Sequence, residues 1–167
     1  PLSHARLAPG GENSGRLVTE VRNVAARLAA SQGYNLLLID GPPGIGCGVV
    51  ASITGADLVL VVVEPTPSGI HDMERVLELS RHFQVPAAVV INKWDLSEEN
   101  SRQIASSCEA LGIPVAARIP FDEAVPVWIS RGMPVVQNGG GPAAEALREL
   151  WNWIEPHCRG KTPTSGG

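Results

Sequence analysis

The sequence predicts an α/β fold, a mostly parallel sheet with helices on both faces. Short apolar runs without alternation recur at 36–40, 57–64, 87–92 and 115–120, the pattern of strands buried on both faces. Stretches of roughly 10–15 residues with helical periodicity separate them. Each run also ends in Asp, Glu, Asn or Pro, and the first and second lead into Gly/Pro-rich turns. Strands alternating with helices imply right-handed βαβ units, and ligands of such sheets sit beyond the carboxyl ends of the strands.

Residues 1–15 are rich in Gly, Pro and Ser and read as a linker or loop. A helix over 16–30 follows from the spacing of Leu17, Val21, Val24, Ala25 and Leu28, with Gly33 closing it. Leu36–Asp40 reads as the first strand, stopped by Gly41-Pro42-Pro43-Gly44. The strand at 57–64 leads through Glu64-Pro65-Thr66-Pro67-Ser68-Gly69 into a helix near 69–83, with Ser68 as its expected cap. The strand at 87–92 ends in Asn92-Lys93-Trp94-Asp95 before a helix near 97–111. The strand at 115–120 precedes a helix near 122–131, capped by Asp122. A last helix, 142–154, aligns Ala146, Leu147, Leu150, Trp151 and Ile154, and Trp128, Trp151 and Trp153 read as packing residues. Residues 16–156 are thus expected to form one domain and 157–167 a tail.

Composition narrows the function classes. The 167 residues carry 13 basic and 17 acidic side chains, net −4, which gives little electrostatic claim on nucleic acid. Cys47, Cys108 and Cys158 are odd in number and lack CxxC spacing, which argues against a disulfide framework or a metal cluster built from this chain alone. The apolar run 58–63 is far short of the roughly 20 residues that span a bilayer. Without a signal peptide the expected location is cytoplasmic. The chain begins Pro1-Leu2 rather than with Met, as a piece of something longer would.

Asp40 to Gly46 carries the most chemistry. An aspartate ending a buried strand before a Gly/Pro turn can hold Mg²⁺ through water, and Gly44 and Gly46 leave their amides open to a γ-phosphate. The structural alternative is a tight turn with Asp40 as a helix cap. Asn92-Lys93-Trp94-Asp95 has the N-K-x-D form that reads guanine, although ATP-using relatives of that fold keep the Asn, often with the basic residue. Alternatively, Asp95 caps the helix at Ser97. Asp122 would face a ligand as well as cap. Cys47 reads more readily as a small buried side chain than as a redox residue. Gly160-Lys161-Thr162 imitates a phosphate loop without its earlier glycine or strand, and Gly10–Gly15 offers a helix N-terminus to an anion but no lysine.

Taken together, Leu36–Cys47, Ile53–Asp57 and Glu64–Gly69 resemble the MinD/ParA-like P-loop ATPases. The likeness is greatest to the subgroup in which a ferredoxin-like iron–sulfur domain is inserted into the nucleotide-binding fold. Asn13–Thr19, Ile91–Lys93 and Ile119–Asp122 look like that subgroup's segment after the insert and its base-side loops. The resemblance implies ATP and Mg²⁺ as ligands, Asp40 as the catalytic, water-mediated Mg²⁺ residue, and nucleotide contacts from Gly41, Pro42, Pro43, Gly44, Gly46, Asn92, Lys93, Pro120 and Asp122. It also implies a homodimer when intact and a nucleotide switch in electron transfer or in metal or cluster handling. The family's phosphate loop and its 4Fe-4S cysteines have no counterpart here, so both are expected upstream of Pro1, in a ferredoxin-like partner domain and the first strand. That strand would run between 36–40 and 57–64, leaving a gap that this chain bridges directly, fills with another copy, or keeps open until its other half is present. ATP hydrolysis then belongs to the intact protein, not to this portion. The alternatives are a GTPase reading guanine through Asn92 and Asp95, and a non-catalytic partner-binding module. A synthase of the amidotransferase type is weaker, lacking the glutaminase Cys and His context.

Overall fold

The computed structural model describes residues 2–4, 14–138 and 140–158. Its elements are α1 (Ser14–Gln32), α2 (Cys47–Ile53), β1 (Val59–Val63), α3 (Pro67–His82), β2 (Ala87–Asn92), a 3-10 turn (Trp94–Leu96), α4 (Glu98–Ala110), β3 (Val115–Ile119), α5 (Ala124–Ser130), α6 (Val135–Asn138) and α7 (Pro142–Cys158). The strands form one parallel sheet in the order β1-β2-β3. Val61 stands beside Val89 and Val63 beside Ile91, while Asn92 pairs with Ile119 beyond an irregularity at Val89/Val90.

Strand alternation assigns the two faces. Val61, Val63, Val89 and Ile91 meet Ile70, Met73 and Leu77 of α3 and Ile104 and Cys108 of α4. Val90 and Ile119 meet Ala143, Ala146 and Leu150 of α7 on the other side. The α/β expectation therefore holds, with a central β2 whose Ala88 to Ile91 are fully buried.

Four expectations need correction. Residues 36–40 are not a strand: no ladder partner stands beside them among the described residues, and Leu38 is 82% exposed. Apolar composition prepares a segment for burial, but a strand exists only through a neighbour's hydrogen bonds. The described chain therefore does not bridge directly from 36–40 to β1, whose Val62 is 63% exposed. The cap of α3 is Thr66, whose hydroxyl accepts from the Gly69 N–H at 3.0 Å with Pro67 in the first turn. Ser68 lies inside the helix, its hydroxyl 3.3 Å from that of Thr66. Helix α7 continues through Pro156 to Cys158, its last turn supported by His157 stacked on Trp153 with ring centroids 3.9 Å apart. Trp151 is 47% exposed and is not a packing residue.

Helix α1 has the expected period and ends at Gly33 (φ +71°), but Leu17, Val21, Val24, Ala25 and Leu28 are only half-buried. It packs on α2, an element the sequence did not announce, and Arg22 joins the pair by donating to the Ala51 and Thr54 carbonyls. Val49 and Ile53 of α2 then bury against Val59, Val76, Leu79, Phe83 and Val85. The expected 1–15 linker is shorter by two residues, because α1 begins at Ser14. Of Gly10–Gly15 only Ser14 and Gly15 are described, and residues 1, 5–13 and the tail beyond Cys158, with Gly160-Lys161-Thr162, lie outside the described residues.

Candidate functional site

The carboxyl ends of β1, β2 and β3 bring three loops together. After β2 the chain turns through Lys93 in the left-handed region (φ 53°, ψ 43°), an uncommon conformation for a residue with a Cβ. That turn lets the Lys93 ammonium donate to Glu64 Oε1 at 2.7 Å, joining the ends of β2 and β1. Both side chains are more than a third exposed, so the pair orients the loops more than it stabilises the fold. Asn100 of α4 reaches back and donates to the Pro65 carbonyl at 2.9 Å. Buried Ser101 donates to the Trp94 carbonyl at 2.6 Å and anchors the 3-10 turn.

Asp95 reaches the next loop. Its Oδ1 accepts from the Phe121 N–H at 2.7 Å, tying the β2 loop to the β3 loop. The expected capping role at α4 belongs instead to Ser97, whose hydroxyl accepts from the Asn100 N–H at 3.4 Å. The N-cap of α5 is Glu123, without a side-chain hydrogen bond, so Asp122 stands one residue before the cap expected of it. Its Oδ1 accepts from the Ala124 N–H at 2.9 Å and its Oδ2 from the Ala143 N–H at 3.4 Å, fastening the same loop to α5 and to the start of α7. A Cβ at position 141 would lie 2.8 Å from Asp122 Oδ2, so a side chain there would displace the Asp122 carboxylate.

Asn92 and Pro120, half-buried, stand at the ends of β2 and β3 within this cluster. The structure thus gathers Asn92, Lys93, Pro120 and Asp122 of the expected site, and adds Glu64, Asp95, Asn100 and Ser101. Glu64 ends an apolar run, the signal that could have singled it out; Asn100 and Ser101 carried none, since a helix interior hides which face meets a loop.

The second group stands apart. Asp40, Gly41, Pro42, Pro43, Gly44 and Gly46 lie on an exposed stretch that bends through residues 43–46 before α2, with Gly44 at φ +85°. No hydrogen bond or ion pair holds the Asp40 carboxylate among the described residues, and the N-cap of α2 is Gly46, without a side-chain hydrogen bond. Asp40 is therefore not a cap. An exposed, unengaged carboxylate is chemically suited to a Mg²⁺-bound water. Cys47 is exposed rather than buried. Cys108 is the buried thiol, and burial raises its pKa. The described cysteines sit on separate helices, and no group of three or more His, Cys, Asp or Glu among the described residues is placed to hold a metal.

A solved structure of the septum site-determining protein MinD of Pyrococcus horikoshii, complexed with Mg-ADP, superposes on this chain with a TM-score of 0.69, covering 84% of this chain and 56% of that one at 20% identity. The chain has the fold of the corresponding part of that MinD structure, an open parallel sheet with helices. By sequence, it is 30% identical over 155 residues to an uncharacterized protein of Methanocaldococcus jannaschii, covering 93% of this chain and 51% of the relative. A chain named septum site-determining protein MinD in Mesostigma viride is 37% identical over 109 residues, covering 63% of this chain and 38% of the relative. The chain spans about half the length of the curated relatives it matches, or less. No family model matches it. Among the described residues no helix is long and apolar enough to cross a membrane.

Proposed function

We propose that this chain is the carboxy-terminal portion of a MinD-type ATPase, carrying its base pocket and second switch. The clustered ends of β2 and β3 support the reading, because they hold Asn92, Lys93, Pro120 and Asp122 where ligands of such sheets bind. The bound Mg-ADP of the Pyrococcus relative makes an adenine nucleotide and Mg²⁺ the ligands of choice.

In this reading Asn92 and the Pro120–Asp122 loop meet the base. Asp40 would hold Mg²⁺ through water, and the Gly41-Pro42-Pro43-Gly44-Ile45-Gly46 turn would follow the γ-phosphate through the freedom of Gly44 and Gly46. Mg²⁺ supplies charge neutralisation on the phosphates when bound. A phosphate-binding strand supplied from outside this chain would enter between β1 and residues 36–40. It would give the 36–40 backbone its ladder and cover Leu38 and Val62, which are otherwise exposed. The intact protein then acts as a homodimeric switch. Its coupling to a ferredoxin-like 4Fe-4S domain, for electron transfer or cluster handling, rests on the likeness of segments 13–19 and 36–47 to that subgroup.

Titration calorimetry tests the reading on this chain. Without a phosphate cradle, Mg·ATP should bind weakly, with a dissociation constant of about 1 mM or above, and more tightly than Mg·GTP. Micromolar ATP binding by a folded monomer would contradict the absence of the cradle, and a preference for GTP would favour the GTPase reading.

A further inference from the structure

Asp95 is the one acidic residue of the β2 loop that the nucleotide reading leaves without a role. We propose that it is a positioning residue of the base pocket, holding the β3 loop in place through the Phe121 N–H, and that it does not read the base. The inference rests on the proposed nucleotide site at the strand ends.

A carboxylate that reads guanine must accept from the ring N1–H and the exocyclic amino group together, which takes both of its oxygens aimed at the ligand. Here Oδ1 is engaged by the Phe121 N–H at 2.7 Å, a partner 26 residues away. Both sides of that hydrogen bond are themselves fixed. On the donor side, Asp122, the residue next to Phe121, is held by its own carboxylate, which accepts from the Ala124 and Ala143 amides. On the acceptor side, the Trp94 carbonyl accepts from buried Ser101, and the Leu96 N–H donates to the Lys93 carbonyl at 3.1 Å. Asp95 is thus the link between two separately anchored loops, and those loops carry Asn92 and Pro120. With Oδ1 held by the backbone, the carboxylate does not present both oxygens to one base edge, and selection of the base falls to Asn92 and to main-chain groups of the Pro120–Asp122 loop.

Asp95→Asn and Asp95→Ala separate the roles, because an asparagine oxygen still accepts from the Phe121 N–H whereas alanine offers nothing. Amide hydrogen exchange of Phe121 should quicken by about fivefold or more in the alanine variant and stay within about twofold in the asparagine variant. Affinities for ATP, GTP and xanthosine triphosphate should fall by a common factor in Asp95→Ala, and Asp95→Asn should leave all three near their starting values. A base-reading carboxylate would instead lose GTP and gain xanthosine triphosphate in Asp95→Asn, since xanthine presents an acceptor where guanine presents its amino group. That result, or Phe121 exchange unchanged in Asp95→Ala, overturns the proposal. Should none of the three nucleotides bind the unsubstituted chain, the nucleotide reading fails while Phe121 exchange still decides whether the link exists. If the alanine variant does not fold, Asp95→Asn alone distinguishes the base-reading outcome.

Discussion

Replacing Ile104 by alanine should lower the stability of the chain by about 2–5 kcal/mol, a drop of roughly 5–15 °C in Tm for a domain of this size. Ile104 has no solvent exposure and lies where α4 meets the sheet, in the same cluster as Met73, Val89, Ile91 and Cys108. Removing its branched side chain leaves a cavity between a helix and a two-sided strand layer, neither of which can collapse easily, because β2 is held by ladders on both sides. Truncating Leu38 to alanine is the matched control. At 82% exposure it should change stability by no more than about 0.5 kcal/mol. Thermal and urea unfolding followed by circular dichroism measure both. An Ile104 effect as small as that of Leu38 would mean that α4 does not pack on the sheet as described.

Gly69→Ala should cost about 1–3 kcal/mol and disturb the strand-end loops at the same time. A Cβ at position 69 would lie 2.5 Å from the Glu64 carbonyl oxygen, 3.1 Å from Thr66 Oγ1 and 3.3 Å from Val63 Cγ2. The nearest of these is backbone, so relief requires α3 to move away from the end of β1. That motion would stretch the Thr66 cap and shift Glu64, and with it the Lys93 ion pair. Unfolding curves report the first effect. Amide shifts at Glu64 and Lys93 report the second, and a variant with wild-type Tm and unmoved amides would refute the close approach.

Much of the fold was legible because its signals are local. Runs such as Val59–Val63 and Ala88–Ile91 are apolar without alternation, the mark of a strand buried on both faces, as β2 is, although Val62 of β1 is 63% exposed; the helices between them repeat at helical spacing. Residues 36–40 carry the same signal and still form no strand, because pairing depends on what lies alongside and composition records only readiness for it. Helix α2, Cys47–Ile53, was hidden by its shortness and by β-branched residues that weigh against a helix. Caps were misplaced by small offsets: Thr66 and Ser68 are equivalent hydrogen-bond acceptors in sequence, and only the path of the chain into α3 selects between them.

The candidate site divides the same way. Placement of Asn92 and Pro120 at strand ends followed from periodicity alone. The Glu64–Lys93 and Asp95–Phe121 links join residues 29 and 26 positions apart, and no spacing rule reaches that far. Asp95 illustrates the limit best. Its four-residue context matched a guanine reader, its neighbourhood suited a helix cap, and the structure gives its carboxylate to a backbone amide on another loop.

The most direct measurement is an amide shift map of the isotope-labelled chain titrated with Mg·ATP to about 10 mM, a range that captures millimolar affinities. A base pocket at the carboxyl ends of β2 and β3 predicts saturable shifts at Asn92, Lys93, Phe121 and Asp122, with Val85, Ala87 and Ile113 at the opposite end of the sheet unmoved. Shifts confined to that opposite end, or none across the titration, would contradict it.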